Sequence, residues 1–321
     1  MQLTGFHHVT AISARIVDNK RFFTGVLGMR LVKRSVNQDD VTAYHLFYAD
    51  DAGSPGTDIT FFDFRVPPER RGTHAIVRTH LRVRDRASLE WWSARLREQG
   101  VAHEGQTLSI VERDGRGVLD FEDGEGQRLA LIEDGGAGDP PVPWRQSPVP
   151  TEHQIRGLGP VVMSVPSLSE TDQILTRVME LRPVREYADP LYGAAPVRVY
   201  EMGAGGPHTE LHVAVQPELP VTQQGAGGVH HVAFRTPNEE EYHRWIDRLN
   251  RMRVPNSGEV DRYWFRSLYF REPNGILFEI ATDGPGFAVD EDPGALGEKV
   301  VLPPFLEPHR DRILAGLKPL D

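Results

Sequence analysis

The string GFHHVT occupies residues 5–10, and the closely similar string GVHHVA recurs at residues 228–233. Each string places two histidines at the opening of a short alternating stretch that is typical of a strand. Two copies of one strand opening, separated by most of the chain, indicate an internally repeated fold. The second histidine of each copy, His8 and His231, gives the two copies a common register.

Four segments of the chain share one order, which is a short strand, a helix and then a run of β-rich segments. The opening strands are predicted at His8–Ile12, Arg78–Val83, Pro160–Val165 and His231–Phe234. The helices are predicted at Asp18–Leu27, Ser88–Gln99, Leu168–Leu181 and Glu239–Met252, where apolar residues recur at helical spacing. This order predicts an α+β fold of four βαβββ modules, paired into two domains that each form a curved sheet around a cleft.

A segment dense in glycine and proline divides the chain at residues 136–156 and is typical of a linker. We expect an N-terminal domain at residues 1–135, built from the first two modules. The third and fourth modules are expected to form a C-terminal domain at residues 157–285. Residues 286–321 form a tail, whose amphipathic part, Pro303–Leu317, is expected to pack near the cleft of the last module as a lid or a dimer contact.

The composition limits the kinds of site and partner. The 321 residues include no cysteine, so any metal must be held by histidines and carboxylates, and disulfides and thiolate catalysis are ruled out. A formal net charge of −10 argues against nucleic acid or an anionic membrane as a partner. The sequence contains no run of about 18 apolar residues, which is the length that a membrane-spanning helix needs. It also shows no signal-peptide pattern, so we expect a cytoplasmic enzyme. Symmetric sheet proteins commonly form a homodimer or a higher homo-oligomer, which we also expect here.

Two histidines and one glutamate are the candidate metal ligands. His8 and His231 hold equivalent positions, and Glu279 lies in the last strand of the fourth module, 48 residues after His231. Because side chains alternate between the faces of a strand, the three are expected to point into one cleft. Such a facial triad suits Fe(II), with Mn(II) as the alternative, and leaves coordination positions open for a substrate and O2.

The second and third modules lack this set of ligands. Arg78 and Pro160 take the place of the histidine, and Ala130 takes the place of the glutamate. The last strand of the third module, near Glu210–Val215, carries Glu210, and no histidine is expected to accompany it. The sequence therefore predicts one metal site per chain, built from the first and fourth modules.

The stretch LYFREPNGILFE at residues 268–279, together with the two placed histidines, resembles the vicinal-oxygen-chelate superfamily. That superfamily includes glyoxalase I, the bleomycin- and fosfomycin-resistance proteins and the type I extradiol dioxygenases. Catechol-cleaving members take their first histidine from the third module, where this chain has Pro160. They also carry a histidine where this chain has Arg262, and in both respects the chain is similar instead to the hydroquinone-cleaving branch.

The resemblance implies an Fe(II)-dependent, extradiol-type ring-cleaving dioxygenase that inserts O2 into a hydroquinone-type aromatic diol, as in aromatic compound degradation. It also implies five residues around the metal: His7, Thr10, His230, Arg262 and Tyr269. A cationic Arg262 favours a phenolate, and Tyr269 can donate a hydrogen bond to a bound oxygen. His7 and His230 could carry protons near neutral pH, although strand alternation predicts that both point away from the metal face.

Two other functions stay open at this point. A glyoxalase I-like, metal-dependent lyase or isomerase would use a second carboxylate for proton transfer at carbon. The extra candidate, Asp63, is expected to lie beyond the end of its strand. A non-catalytic, ligand-sequestering resistance protein would have no need of two histidines and a glutamate in register.

Overall fold

The computed structural model describes residues 1–101, 103 and 108–320. Within these ranges each module contains an opening strand, a helix and three further strands, so the predicted α+β fold of four βαβββ modules is confirmed. Among the described residues, no helix has the length and apolar character required to cross a membrane.

The strands follow the modules in order. The first module contains β1 (Phe6–Ser13), β2 (Arg30–Val36), β3 (Tyr44–Ala49) and β4 (Asp58–Asp63). The second contains β5 (Ala75–Val83), β6 (Ile110–Arg113), β7 (Arg116–Glu122) and β8 (Arg128–Glu133). The third contains β9 (Leu158–Val165), β10 (Arg182–Tyr187), β11 (Val197–Glu201) and β12 (Glu210–Val215). The fourth contains β13 (Val229–Thr236), β14 (Val260–Asp261), β15 (Phe265–Arg271) and β16 (Leu277–Pro285).

The helices repeat in two alternating forms. Their bounds are α1 (Ile16–Lys20), α2 (Arg86–Glu98), α3 (Leu168–Gln173), α4 (Glu239–Arg251) and, in the tail, α5 (Arg310–Gly316). In the first and third modules the helix continues as a π-helical segment, at Arg21–Val26 and Ile174–Val178. In the second and fourth modules a side-chain cap begins a 13-residue helix, supplied by Asp85 in one and Asn238 in the other.

The strands form two eight-stranded sheets. The first has the order β14-β15-β16-β13-β1-β4-β3-β2 and joins the fourth module to the first. The second has the order β10-β11-β12-β9-β5-β8-β7-β6 and joins the third module to the second. The expectation that consecutive modules, one with two and three with four, share a sheet is therefore wrong. The predicted linker at 136–156 connects β8 to β9 within the second sheet and does not separate the sheets.

Pairing between the opening strands decides this arrangement. β1 pairs antiparallel with β13 at the centre of the first sheet, and β5 pairs antiparallel with β9 at the centre of the second. Consecutive modules contact each other through their helices instead. Arg95 of α2 donates to the Val26 carbonyl at 2.9 Å, and Arg248 of α4 donates to the Val178 carbonyl at 2.6 Å.

Two connections between the sheets lie side by side. Residues 64–74 lead from the first sheet to the second, and residues 216–228 lead back. Backbone bridges join the two connections, one of them between Pro68 and Ala226. Gly225 permits this close approach, because a Cβ atom at that position would lie 2.3 Å from a backbone oxygen of the other connection.

The C-terminal tail packs on the first module. Val300 bridges to Arg34 of β2, and Ser35 Oγ donates to the Val301 carbonyl at 2.7 Å. One cluster of buried apolar residues joins the tail to this strand: Val36, Leu302, Leu306 and Ile313. The expected position of Pro303–Leu317, near the cleft of the last module, is therefore wrong, whereas its alternative role as a dimer contact stays a prediction. The apolar stripe of this segment covers β2, an edge strand whose unpaired backbone groups otherwise face solvent.

Candidate metal centre

The first sheet brings His8, His231 and Glu279 together. Their side chains come from β1, β13 and β16, which are neighbours at the centre of that sheet. Glu279 Oε2 lies 2.9 Å from His231 Nε2 and 3.2 Å from His8 Nε2, and the two Nε2 atoms are 3.3 Å apart. All three residues are buried. The three atoms converge closely enough to hold one metal ion.

The two oxygens of Glu279 have different surroundings. Oε1 accepts a hydrogen bond from Ser267 Oγ at 2.5 Å, whereas Oε2 is buried without a hydrogen-bond partner among the described residues. Burial opposes ionisation of this carboxyl group, yet the neighbouring imidazoles hold the pKa of Glu279 well below its usual range. An anionic oxygen and two imidazole nitrogens that face one point form a donor set that fits a divalent cation.

Both doubled histidines lie at β-bulges. In the pairing of β1 with β13, the register shifts at His7 on one strand and at His230 on the other, so each is an extra residue between paired neighbours. A bulge redirects the side chain of the extra residue. His7 Nδ1 therefore lies 2.9 Å from His8 Nδ1, and His230 Nδ1 lies 2.8 Å from His231 Nδ1. His7 and His230 thus contact the ligand imidazoles at Nδ1, on the side away from the Nε2 atoms that face the metal position, and neither residue lines the cavity.

These two contacts fix the orientation of the ligand imidazoles. In each Nδ1 to Nδ1 contact, one nitrogen donates and the other accepts. If the inner ring carries its proton on Nδ1, its Nε2 presents a lone pair to the metal. Burial, with the adjacent imidazole, lowers the pKa of both His7 and His230 to about 3. A lowered pKa favours the neutral form of both rings, whereas the expected transfer of protons requires titration near neutral pH.

The triad opens into a small cavity, which both ligand histidines line. Its walls are mainly aromatic, and its polar groups come from the first and the fourth modules. The lining residues beyond the ligands are Asn37, Gln38, Asp39, His45, Phe47, Phe62, Arg262, Trp264, Phe265 and Tyr269. A small pocket with aromatic walls and a few fixed polar groups suits a single aromatic ring.

Arg262 and Tyr269 form one polar wall of the cavity. Arg262 Nε donates to the Tyr269 hydroxyl at 3.2 Å, and its Nη2 contacts Asp39 Oδ2 at 2.8 Å. The guanidinium carbon also lies 5.3 Å from the centre of the Tyr269 ring. Burial, with the charge of Glu279, raises the pKa of Tyr269 above its usual value, so the phenol keeps its proton. Its hydroxyl thus accepts from Arg262 and retains a hydrogen to donate.

The first residues of the tail brace the cavity wall at Trp264. The buried Lys33 ammonium donates to the Phe287 carbonyl at 2.9 Å and to Asp290 Oδ1 at 2.7 Å. The other oxygen of Asp290 accepts from Trp264 Nε1 at 3.0 Å. The indole that lines the cavity is therefore fixed by the segment that follows β16.

Thr10 does not line the cavity. Its hydroxyl lies 2.8 Å from that of Thr60, which in turn lies 2.9 Å from His45 Nε2. β1 pairs with β4 so that Thr10 faces Thr60, and β13 pairs with β16 so that Ala233 faces Glu279. Thr60 is thus the counterpart of Glu279 in the first module, and the site holds one carboxylate where a symmetric site would hold two.

Sequence reasoning missed His45 as a residue of the site. His45 lies on β3 and lines the cavity. Hydrogen bonds connect Thr10 to Thr60 and Thr60 to His45, and of these three residues His45 contacts the cavity. Its position in the alternating stretch Tyr44–Tyr48 gave a signal, because Phe47, two residues later on the same face, lines the cavity as well.

The cleft of the second sheet contains another group of close ligand-type atoms, from Asp114, Glu210 and His212. His212 Nε2 lies 3.0 Å from Glu210 Oε2, so the expectation that no histidine accompanies Glu210 is wrong. The two residues are separated by one position in β12 and share a face. Arg116 contacts Glu210 at 2.6 Å, and Arg185 contacts Asp114 at 2.5 Å. Cations of the chain itself therefore neutralise these carboxylates.

The family of the chain follows from its sequence. A model described as Glyoxalase/Bleomycin resistance protein/Dioxygenase superfamily matches residues 5–144 and 157–280. The chain belongs to this superfamily.

Similar proteins cover the whole length of the chain. A Bacillus subtilis (strain 168) protein named "Putative ring-cleaving dioxygenase MhqA" is 46% identical over 321 residues, with 100% of both chains covered. The chlorohydroquinone/hydroquinone 1,2-dioxygenase of Sphingobium indicum is 30% identical, with 98% of this chain and 95% of the relative covered. A Bacillus subtilis crystal structure matches with a TM-score of 0.88 at 33% identity, over 100% of this chain and 98% of the other. Zea mays glyoxalase I, at 14% identity and a TM-score of 0.61 over 87% and 92% of the two chains, shares the fold.

The first prediction concerns metal binding. His8→Ala, His231→Ala and Glu279→Ala are each expected to abolish tight binding of Fe(II), because each removes one of the three converging ligand atoms. The loss should exceed the roughly 10- to 100-fold that removal of an outer hydrogen-bond partner costs. Metal content after anaerobic loading and desalting measures it, and thermal unfolding checks that each variant is folded.

Thr60→Ala is the matched control, since Thr60 occupies the position equivalent to Glu279 in the first module. It is expected to retain its metal. A ligand variant that keeps full iron content would remove that residue from the triad.

Proposed function

We propose that this protein is a ring-cleaving dioxygenase that uses Fe(II) at His8, His231 and Glu279 to insert O2 into a hydroquinone-type aromatic diol. The observation that carries the proposal is a buried triad of two histidines and one carboxylate at the end of a cavity with aromatic walls. The names of the relatives support the same reaction class. The extradiol type of cleavage is part of this proposal and rests on the resemblance of residues 268–279 to the extradiol signature.

The triad would hold the ion through His8 Nε2, His231 Nε2 and Glu279 Oε2. The bound ion supplies the redox chemistry of O2 and an attachment point for one substrate oxygen. His7 and His230 act through the ligand imidazoles, whose ring orientation they fix by the Nδ1 contacts. Ser267 acts in the same way on Glu279, because it occupies Oε1 and leaves Oε2 free.

The cavity residues would orient the ring. Phe47, Phe62, Trp264 and Phe265 provide apolar surfaces that exclude water and hold an aromatic ring. Arg262 brings a fixed positive charge that favours the phenolate form of the bound oxygen. Tyr269, which remains protonated, can donate to an oxygen near the triad, since it stands directly across from Glu279 in the pairing of β15 with β16.

One position distinguishes this proposal from a glyoxalase-like lyase or isomerase. Proton transfer at carbon in such a site uses a second carboxylate, and the counterpart of Glu279 is Thr60. Asp63, the other candidate, lies at the end of β4, where it forms an ion pair of 2.6 Å with Lys318. A threonine is neither a base nor a strong ligand near neutral pH, so the position equivalent to Glu279 supplies no second acid-base group.

Oxygen consumption by anaerobically Fe(II)-loaded protein, with one substrate in each assay, tests the proposed function. Hydroquinone is expected to drive O2 uptake and loss of its aromatic absorbance. Catechol is expected to act mainly as a chelating inhibitor, and the methylglyoxal–glutathione adduct should not react. Efficient cleavage of catechol with no reaction of hydroquinone would overturn the substrate assignment, and isomerisation of the adduct would overturn the reaction class.

Arg262→His is expected to lower hydroquinone turnover about 10- to 100-fold, which is about 1.4 to 2.7 kcal/mol of transition-state stabilisation. The change removes the permanent charge beside Tyr269 and leaves the triad intact. Steady-state kinetics and iron content together measure the effect. Arg266→His, on the same stretch of chain but outside the cavity, is the control and should retain turnover. Unchanged kinetics in Arg262→His would remove Arg262 from the substrate site.

A further inference from the structure

His45 has a fixed orientation in the cavity wall. Its Nε2 lies 2.9 Å from Thr60 Oγ1, and Thr60 Oγ1 lies 2.8 Å from Thr10 Oγ1, so three residues from three strands form one hydrogen-bonded series. The imidazole contacts two aromatic rings, with centroids 3.9 Å from that of Phe47 and 4.5 Å from that of Phe62. These ring contacts and the hydrogen bond at Nε2 hold the imidazole in one orientation.

The second ring nitrogen of His45 is available to a ligand. Among the described residues Nδ1 has no hydrogen-bond partner, and the side chain is partly exposed where it lines the cavity. Burial lowers the pKa of His45 well below its ordinary value, so the ring is neutral and each nitrogen is either a donor or an acceptor. With Nε2 engaged by Thr60, the remaining hydrogen-bonding capacity of the imidazole is directed at whatever occupies the cavity.

The polar groups of the cavity form two sets on different modules. Arg262 and Tyr269 lie on the fourth module beside Glu279, where they can contact an oxygen near the triad. His45 lies on the first module, beside Thr60, on the opposite side of the pseudosymmetric centre. An aromatic diol carries two oxygens on one rigid ring, and the groups beside Glu279 satisfy one of them.

We propose that His45 is a specificity-determining residue that hydrogen-bonds through Nδ1 to the second hydroxyl of the substrate, the one not directed at the triad. This proposal rests on the proposed function, because it takes the ligand to be an aromatic diol. Thr60 and Thr10 are positioning residues that act through His45. Thr10, which the resemblance placed around the metal, does not line the cavity itself. It would act on the bound substrate through its hydrogen bond to Thr60, which holds His45.

Equilibrium binding of hydroquinone and of phenol to the Fe(II)-loaded protein under argon tests the proposal without turnover. The two ligands share the ring and one hydroxyl, so their affinity ratio isolates recognition of the second hydroxyl. The native protein is expected to bind hydroquinone about tenfold more tightly than phenol, the ratio that one well-made hydrogen bond provides. In His45→Phe this ratio should fall to about one, with phenol affinity retained.

Three further variants make the experiment specific. Thr60→Val removes the anchor of the imidazole and is expected to reduce the ratio, whereas Thr60→Ser keeps the hydroxyl and should retain it. Phe265→Leu changes the cavity wall at a ring that has no ring contact with His45 among the described residues, so it should weaken hydroquinone and phenol alike and leave their ratio unchanged. Iron content and thermal unfolding accompany each variant, and Thr60→Val provides the test if His45→Phe does not fold.

The outcomes separate this proposal from the function on which it rests. A His45→Phe protein that still prefers hydroquinone to phenol, or a native protein with no preference, would overturn the role of His45 while leaving the dioxygenase intact. A native protein that binds neither ligand and consumes no O2 with hydroquinone would overturn both. Loss of the ratio in His45→Phe and Thr60→Val, with its retention in Phe265→Leu and Thr60→Ser, supports the assignment.

Discussion

The antiparallel pairing of β1 with β13 is the interaction on which the site depends. It places the two opening strands, which are more than 200 residues apart in sequence, side by side at the centre of one sheet. The bulge on each strand adds one histidine next to the histidine that faces the cleft. As a result, His8 and His231 face each other, and His7 and His230 contact them from behind. Without this pairing, neither the triad nor its orientation would exist.

The internal symmetry of the fold explains both what the site contains and what it omits. Equivalent positions in the four modules carry different side chains, and this difference determines their chemistry. In the first sheet Thr60 replaces the second carboxylate and anchors His45. In the second sheet Arg78 stands where the first has a histidine, and it is buried in a 2.9 Å ion pair with Asp120. A buried guanidinium paired in this way puts a fixed positive charge, with no lone pair to offer, where the first sheet has a metal ligand.

The sequence predicted the four modules and the three converging side chains for two reasons. The repeated strings at residues 5–10 and 228–233 show which positions of the first and fourth modules are equivalent. The alternation of side chains along a strand depends only on neighbouring residues, so it can be recognised in the sequence. The sequence did not predict which modules share a sheet, since pairing between opening strands depends on contacts distant in sequence. The bulges were not predicted for a related reason. A bulge is defined by an extra residue relative to the partner strand, so it cannot be recognised until the pairing of β1 with β13 is known. His212 was not predicted because its proximity to Glu210 depends on both residues lying on one face of β12. The position of Pro303–Leu317 was predicted wrongly because an apolar stripe shows that a helix packs but does not identify the surface, here β2, against which it packs.

The most direct test of the central claim is the fate of both oxygen atoms of O2. The anaerobically Fe(II)-loaded protein would be given hydroquinone and ¹⁸O2, and the ring-opened product analysed by mass spectrometry immediately after the reaction, alongside the Glu279→Ala variant. The account predicts one O2 consumed per hydroquinone, a product that gains both labelled atoms, and no product from the variant. Oxidation of hydroquinone without incorporation of label, or a labelled product that forms equally well in Glu279→Ala, would contradict it.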